Sequence, residues 1–173
     1  MYALVVYESM FGNTERIAQA IADGLGTSMA VQVTEVGSAP RILGEDVGLL
    51  VVGGPTHAFG MSRPSTRASA AQQMDGPLVS RGVGVREWLA ALHTPSARLA
   101  SAAFDTRIWK PRLPGSAAKA ARRALRRLGV RAVAPPESFY VADTQGPLVD
   151  GEVERARRWG EQLAALVTHP SPA

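Results

Sequence analysis

The chain has 173 residues, 46% of them apolar, and a formal net charge of +4 from 19 Lys and Arg against 15 Asp and Glu. It contains no cysteine, which excludes disulfides, thiolate metal sites and enzymes that use a cysteine nucleophile. The excess of positive charge is modest for this length and does not by itself indicate a nucleic-acid-binding protein.

Apolar runs typical of strands alternate with helical periodicity in the first part of the chain. The strand runs are rich in β-branched residues, and the helical segment repeats apolar residues every three or four positions. The predicted elements are a buried strand at 3–7, an amphipathic helix that carries Ile17, Ile21 and Leu25 and ends near Gly24 and Gly26, an alternating strand at 30–36, and a central strand at 47–54 that is apolar on both faces.

The alternation resumes after a long stretch, 57–82, that has no clear period. Ser116 is a predicted helix N-cap, because a run of strong helix formers follows it. The later predicted elements are a short helix at 85–92, a buried strand at 99–105, a helix after Ser116, an extended segment at 131–142 with an edge or bulge near Pro135 and Pro136, and a closing helix with Ala156, Trp159, Leu163 and Leu166 on one stripe.

This order of elements predicts an α/β fold with a parallel sheet. Strands separated by helices form a sheet that is covered on both faces, because right-handed crossovers place helices on each side. Five such strands fit the doubly wound order 2-1-3-4-5, in which ligands bind beyond the carboxyl ends of strands 1, 3 and 4. We expect a single domain over residues 1–168 and a frayed tail at 169–173.

The sequence gives no indication of a membrane span or a metal centre. It has no run of about 18 apolar residues and no basic segment followed by a long apolar one near residue 1, so we expect a cytoplasmic protein. The three histidines, His57, His93 and His169, show no metal-ligand spacing, and we therefore expect no metal site.

The segment SMFGNT, residues 9–14, joins the first predicted strand to the first helix. The free N–H groups of a first helical turn, together with the helix dipole, make such a junction attractive to anions. Ser9, Asn13 and Thr14 add hydroxyl and amide groups, and Gly12 permits a positive φ or close approach of a ligand. The segment predicts a phosphate site; the alternative is that Ser9 and Thr14 serve only as caps and turn formers.

Motifs that the sequence lacks narrow the class of phosphate ligand. There is no G-x-x-x-x-G-K-[ST] loop of a nucleoside triphosphatase, and no G-x-G-x-x-G follows the first strand, which disfavours a dinucleotide site. Low-molecular-weight phosphatases of similar topology need a cysteine. A response-regulator receiver would need an acidic pair after strand 1, where this chain has Glu8 alone.

The chain resembles the flavodoxin family over nearly its whole length, most strongly over 3–22 and 47–60. Flavodoxins carry a [ST]-x-[ST]-G-x-T loop after strand 1, which Ser9, Gly12 and Thr14 match, with Phe11 in the third position. They also carry a G-x-P-T stretch after strand 3, which is similar to GGPTHAFG at 53–60. The resemblance implies a flavodoxin-like fold and a noncovalently bound flavin mononucleotide (FMN), with its phosphate on the first loop and its ring between the loops after strands 3 and 4.

The resemblance also implies a set of cofactor contacts, and it leaves the chemistry to the cofactor, so we expect no catalytic residue. Flavodoxins usually stack a Trp from the loop after strand 3 and a Tyr from the loop after strand 4 on the ring. This chain has His57 or Phe59 in the first of these loops and Trp109 in the second, although Trp109 is equally suited to cover a core edge. The expected contacts are Ser9, Met10, Phe11, Gly12, Asn13 and Thr14 for the phosphate, Pro55, Thr56, His57, Phe59 and Gly60 for one ring wall, and Thr106, Arg107, Ile108 and Trp109 for the other.

A bound FMN would imply an electron-transfer protein that meets a redox partner protein. Two alternatives stay open: a small FMN-dependent reductase of the quinone or protoporphyrinogen type, and a flavodoxin-fold protein without flavin that acts through protein contacts. Reduced nicotinamide nucleotides are candidate electron donors for the reductase. We expect no nucleic-acid partner and no insertion into a membrane.

Positive charge distinguishes this chain from the acidic flavodoxins of electron-transfer chains, whose basic partners it would repel. Its cations form two groups, each with two interpretations. The first group lies in loops on the ligand side and either binds an anionic ligand or is solvated. The second group lies on a predicted helix and forms either a solvated face or a docking patch. The loop cations are Arg63, Arg67, Arg107, Lys110 and Arg112, and the helix cluster is Arg122, Arg123, Arg126 and Arg127.

Overall fold

A computed structural model describes residues 1–94 and 98–168 of the chain, which form six strands and five helices. The strands are β1 (Tyr2–Tyr7), β2 (Val31–Glu35), β3 (Val47–Pro55), β4 (Ala100–Ile108), β5 (Arg131–Ala132) and β6 (Glu137–Val141). The helices are α1 (Asn13–Leu25), α2 (Pro64–Ala71), α3 (Val85–Ala90), α4 (Ala117–Arg127) and α5 (Glu152–Thr168), with a short 3-10 turn at Val36–Ser38.

The strands form one sheet in the order β2-β1-β3-β4-β5, and β6 also pairs with β4. Every pairing between these strands is parallel. The predicted doubly wound α/β fold, with strand order 2-1-3-4-5, is therefore confirmed.

The fifth position of the sheet is occupied by two short strands instead of one. Both β5 and β6 pair with β4, and the residues between them include Pro135 and Pro136. Proline has no N–H to donate, so it interrupts the ladder at this point. The interruption lies where the sequence predicts an edge or a bulge.

Each face of the sheet is covered by a pair of helices. Helices α1 and α5 cover one face, and α3 and α4 cover the other. On the first face the two helices touch closely, since a Cβ added to Gly160 would lie 2.2 Å from the carbonyl oxygen of Ile21. On α5 the predicted stripe is wrong at Leu166, which is 44% exposed, because Val167, one residue later, packs against the core instead.

Helix α2 lies in the stretch 57–82, for which the sequence indicates no helix. It begins at Pro64, a residue favoured in the first turn, and buries only Ala70. Because it lacks an apolar stripe, hydrophobic periodicity does not reveal it. The predicted tail, 169–173, lies outside the described residues.

Candidate functional site

A cleft of about 270 Å³ opens at the edge of the sheet where β1, β3, β4 and β6 end. Doubly wound folds bind ligands at this edge. Four segments line the cleft: the loop after β1 (Ser9, Met10, Phe11, Asn13, Thr14), the end of β3 and the turn after it (Pro55, Thr56, His57, Ala58), α2 and its end (Thr66, Ser69, Ala70, Gln73), and the ends of β4 and β6 (Thr106, Arg107, Ile108, Val141, Thr144).

The loop after β1 leaves the start of α1 without a side-chain cap among the described residues. Gly12, the N-cap residue, has a φ of +93°, a left-handed conformation that favours glycine. A Cβ at Gly12 would meet no atom of the described residues within 4 Å, so the backbone conformation, not crowding, requires glycine. The Ser9 hydroxyl accepts a hydrogen bond from the Gly12 N–H at 3.1 Å. The first N–H groups of α1 therefore have no side-chain acceptor among the described residues, which suits the helix start to an anion.

Two other segments hold this loop in place. The Ser9 N–H donates to the Ser80 hydroxyl at 3.0 Å, and the Ser80 N–H donates to the Ser9 carbonyl at 2.8 Å. On the other side, the Asn13 amide donates to the carbonyl of Gln145 at 3.0 Å. A loop fixed in this way loses little conformational entropy when a ligand binds.

Two hydroxyls and one carboxylate connect the walls of the cleft. Thr14 Oγ1 and Thr106 Oγ1 lie 2.7 Å apart, and both residues are buried. Asp105, which precedes Thr106, is fully buried, and its Oδ2 accepts hydrogen bonds from the hydroxyls of Ser116, at 2.5 Å, and Thr56, at 3.0 Å. Asp105 thereby links Thr56, at the end of β3, to the start of α4.

The turn after β3 directs one ring into the cleft and another to the surface. The His57 N–H donates to the Gly60 carbonyl at 2.8 Å, and the Gly60 N–H donates back at 3.0 Å. Between them, Ala58 and Phe59 have positive φ angles of 41° and 74°, the pattern of a type I′ turn, which usually carries Asn or Gly. As a result Phe59 is 58% exposed, while His57 lines the cleft.

His57 is held by α2 and is neutral at pH 7. Its Nδ1 lies 3.1 Å from the Thr66 hydroxyl. Burial and, to a smaller extent, the positive charge of Arg67 lower the pKa of the His57 imidazole. The histidine therefore presents a flat, uncharged ring to the cleft.

A buried polar network ties α2 to the loop after β1. Arg67 Nη2 lies 3.0 Å from Glu87 Oε1, and Arg67 Nη1 donates to the Ser62 hydroxyl at 2.8 Å. The Ser62 hydroxyl donates to the carboxylate of Glu8, whose other oxygen accepts the Val85 N–H at 2.8 Å. Burial raises the pKa of Glu8, and these two hydrogen bonds oppose the shift. Because Glu8 directly precedes the loop, the network fixes the two sides of the cleft relative to each other.

Arg107 and Trp109, both predicted in the second ring wall, have different positions. Arg107 lines the cleft, but its guanidinium donates to the carbonyls of Gly115, at 2.8 Å, and Leu113, within its own loop. Trp109 does not line the cleft; its ring packs edge-on against Tyr140, with centroids 4.6 Å apart. Trp109 thus has the position of an anchor at the rim.

The structure brings most of the predicted contacts together around one cleft. The exceptions are Gly12, which acts through its backbone, Gly60, which closes the turn, and Phe59 and Trp109, which face outward. Sequence reasoning missed the lining residues of α2, and the available signal was Pro64 followed by seven residues without glycine or proline. It also missed Ala58, Val141 and Thr144.

Charge is sparse inside the cleft and abundant around it. Arg107 is the only charged residue among the described residues that line the cleft. Arg67 is engaged by Glu87, and Arg63, Lys110 and Arg112 are exposed outside the cleft. The loop cations therefore do not converge on one ligand, and of the two interpretations the solvated one applies to Arg63, Lys110 and Arg112.

These residues fit a ligand with a phosphate at one end and a flat ring at the other. The uncapped α1 terminus, Ser9 and Thr14 provide hydrogen-bond donors for an anion, and His57, Ile108 and neighbouring apolar groups provide uncharged walls. Within residues 1–94 and 98–168, no group of three or more His, Cys, Asp or Glu is placed to hold a metal ion. The same ranges contain no helix that is long and apolar enough to cross a membrane.

One family model and several solved structures match this chain. The sequence model of the flavodoxin family matches residues 5–159. Among solved structures, a Streptococcus pneumoniae flavodoxin is similar with a TM-score of 0.68 and 19% identity, over 96% of this chain and 100% of that one. Flavodoxin 1 from Bacillus cereus has a TM-score of 0.66 and 18% identity, over 99% of this chain and 100% of that one.

The same fold also occurs within a larger protein. Rubredoxin:oxygen oxidoreductase from Desulfovibrio gigas is similar with a TM-score of 0.64 and 17% identity, over 96% of this chain but only 36% of that chain. Identities this low indicate a shared fold and no more. No curated protein sequence matches the chain.

Proposed function

The chain belongs to the flavodoxin family, and from that premise we propose that it binds FMN in the cleft and transfers electrons to and from a redox partner protein. The observation that carries the proposal is the start of α1. There Gly12 at φ +93° and the absence of a side-chain cap among the described residues leave N–H groups directed at the end of the cleft. Such a terminus binds phosphate without a cationic side chain.

Around the phosphate, the groups that would hold it are neutral donors. The hydroxyls of Ser9 and Thr14 and the first N–H groups of α1 would donate to phosphate oxygens, and charge-assisted hydrogen bonds of this kind are stronger than neutral ones. Ser80 and Gln145 keep the loop in position through their bonds to Ser9 and Asn13. The binding loop is thus assembled before the ligand arrives.

For the ring, the walls are mostly uncharged. When bound, FMN supplies one- and two-electron transfer, and the protein tunes it through the surroundings of the ring. Neutral His57, Pro55 and Ile108 disfavour negative charge on the ring, whereas the fixed guanidinium of Arg107 favours it. Because no acid is among the described lining residues, the positive charge of Arg107 is the main electrostatic influence from the walls.

The proposal is tested by the flavin content of the purified protein. We expect yellow protein with about one FMN per chain, or colourless protein that takes up FMN with quenching of its fluorescence. A protein that contains no flavin and fails to take up FMN contradicts the proposal and favours a flavin-free protein that acts through protein contacts.

A second assay separates the carrier from the reductase. We expect the protein to turn over only when a separate reductase is added, since the exposed Trp109 at the rim suits contact with a protein. Steady oxidation of a reduced nicotinamide nucleotide, or steady reduction of a quinone, by the protein alone would favour a small FMN-dependent reductase.

A further inference from the structure

Positive charge is concentrated in one segment of the chain. Residues 106–136 contain nine Lys or Arg and no Asp or Glu, whereas the rest of the chain contains ten Lys or Arg and all fifteen acids. The segment therefore carries a charge of +9 and the remainder −5. A net charge of +4 conceals this separation, which is large enough to orient an approaching charged molecule.

The segment forms a continuous surface that begins at the cleft. It runs from the end of β4 through the loop 109–116 and along α4. Helix α4 buries Ala118, Ala121 and Leu125 against the sheet, and Arg122 and Arg126 are exposed on its other side. We call the exposed Lys and Arg side chains between residues 110 and 127 the basic stripe.

Internal contacts leave the basic stripe unneutralised. Helix α4 contains no acid, and none of the ion pairs among the described residues involves residues 106–136. Two acids, Asp75 and Asp143, are close in sequence to the cleft-lining residues Gln73 and Thr144. Their segments are joined to each other and to α1 by Gln145, whose side chain donates to the Gln73 carbonyl and whose own carbonyl accepts from Asn13. Asp75 and Asp143 therefore belong to the α1 side of the cleft, whereas the basic stripe lies on the α4 side.

Where the basic stripe reaches the cleft, three apolar side chains stand at the surface. Phe59, Trp109 and Leu113 are 58%, 39% and 51% exposed. The two loops that carry them touch, since a Cβ at Gly115 would lie 2.1 Å from the Phe59 carbonyl oxygen. We call these three residues the apolar rim. Tyr140 packs edge-on against Trp109, so this anchor is already ordered before any partner binds.

We propose that the apolar rim and the basic stripe together form the docking surface for an acidic electron-transfer protein; this inference rests on the proposed electron-transfer function. Exposed aromatic anchors surrounded by arginine are typical of the centre of protein interfaces. Complementary charge steers such a partner, and the rim places it at the cleft. A nucleic acid would use the cations of the stripe but would have little use for an apolar rim beside a cofactor cleft.

The surface is tested by binding, which does not require bound flavin. The purified protein is immobilised for interferometry and exposed to an acidic plant-type [2Fe–2S] ferredoxin and, separately, to a DNA duplex of 20 base pairs at the same ionic strength. The test variant is R122E/R126E, which reverses two exposed charges of the basic stripe. The matched control is R41E/R158E, which changes the net charge equally at two exposed arginines elsewhere.

We expect the ferredoxin to bind at low salt and to bind more weakly as salt increases, because the attraction is screened. R122E/R126E weakens this binding by about tenfold or more, the control changes it by less than about threefold, and W109A weakens it without changing its salt dependence. Three results would overturn the proposal. They are no binding of the ferredoxin, an equal loss of ferredoxin affinity in R122E/R126E and in the control, and tighter binding of the DNA duplex than of the ferredoxin. A chain that binds ferredoxin in this pattern but takes up no FMN would instead contradict the proposed electron-transfer function.

Discussion

The hydroxyl oxygens of Thr14 and Thr106 lie 2.7 Å apart, which brings the start of α1 and the end of β4 to one point at the cleft. Thr14 stands in the first turn of α1, beside the N–H groups that lack a side-chain acceptor among the described residues. Thr106 belongs to the opposite wall and is 5% exposed. The pair therefore connects the proposed phosphate end of the site to its ring end.

Replacing Thr14 by Val tests the phosphate end of the site. Loss of one charge-assisted hydrogen bond should weaken FMN binding by about 1–3 kcal/mol, while the fold is retained. Titration of the protein into FMN, followed by fluorescence quenching, measures the change. Thr106→Val removes the same bond between the two hydroxyls from the ring end of the site, and comparison of the two variants shows how much of the loss comes from that bond. Unchanged FMN affinity of Thr14→Val would contradict a phosphate contact by Thr14.

Arg67 tests whether the buried polar network holds α2. Arg67→Ala removes the guanidinium bonds to Glu87 and Ser62, and the free energy of unfolding should fall by about 1–3 kcal/mol. The control is Arg63→Ala, an exposed arginine four residues earlier, which should change stability by less than about 0.5 kcal/mol. Urea denaturation measures both, and equal losses would contradict a specific role for Arg67.

Gly160 tests the close contact between α1 and α5. A Cβ at this position would lie 2.2 Å from the Ile21 carbonyl oxygen, so Gly160→Ala should force the helices apart and destabilise the fold by about 1–3 kcal/mol. This result would be opposite to the gain that alanine usually brings within a helix. Gly82→Ala is the control, since no atom in the described part of the chain lies within 4 Å of its added Cβ. A stabilised Gly160→Ala protein would show that the helices pack less closely.

The ionisation of Tyr7 should make the stability of the folded protein fall at alkaline pH. Its hydroxyl donates to Glu15 Oε1 at 3.0 Å, and burial followed by this bond raises the pKa of Tyr7 to about 12 from 10.0. The unfolded chain loses the proton first, so the contribution of Tyr7 is fully present below about pH 10 and is lost as the pH rises towards about 12. Across that window, urea denaturation should show a steeper loss of stability for the native protein than for Tyr7→Phe. Parallel pH profiles would contradict the shifted pKa.

The parts of the fold and site that could be predicted are those that depend on local pattern. Strand 47–54 and the loop 9–14 are contiguous in sequence, so periodicity and loop chemistry locate both. The positions of Phe59 and Trp109 depend on a strained turn and on Tyr140, which belongs to a different strand. Helix α2 escaped prediction because Ala70 is its only buried residue, and the other residues that face the cleft are polar.

The central claim, that the start of α1 holds the phosphate of FMN, is tested most directly by comparing FMN with riboflavin, which has the same ring and no phosphate. Both are titrated with the flavin-free protein, and fluorescence quenching reports binding. We predict that FMN binds to about one equivalent and that riboflavin binds about 100-fold more weakly, the factor that corresponds to about 3 kcal/mol of phosphate contacts. Equal affinity for the two flavins, or no uptake of FMN, would contradict the claim.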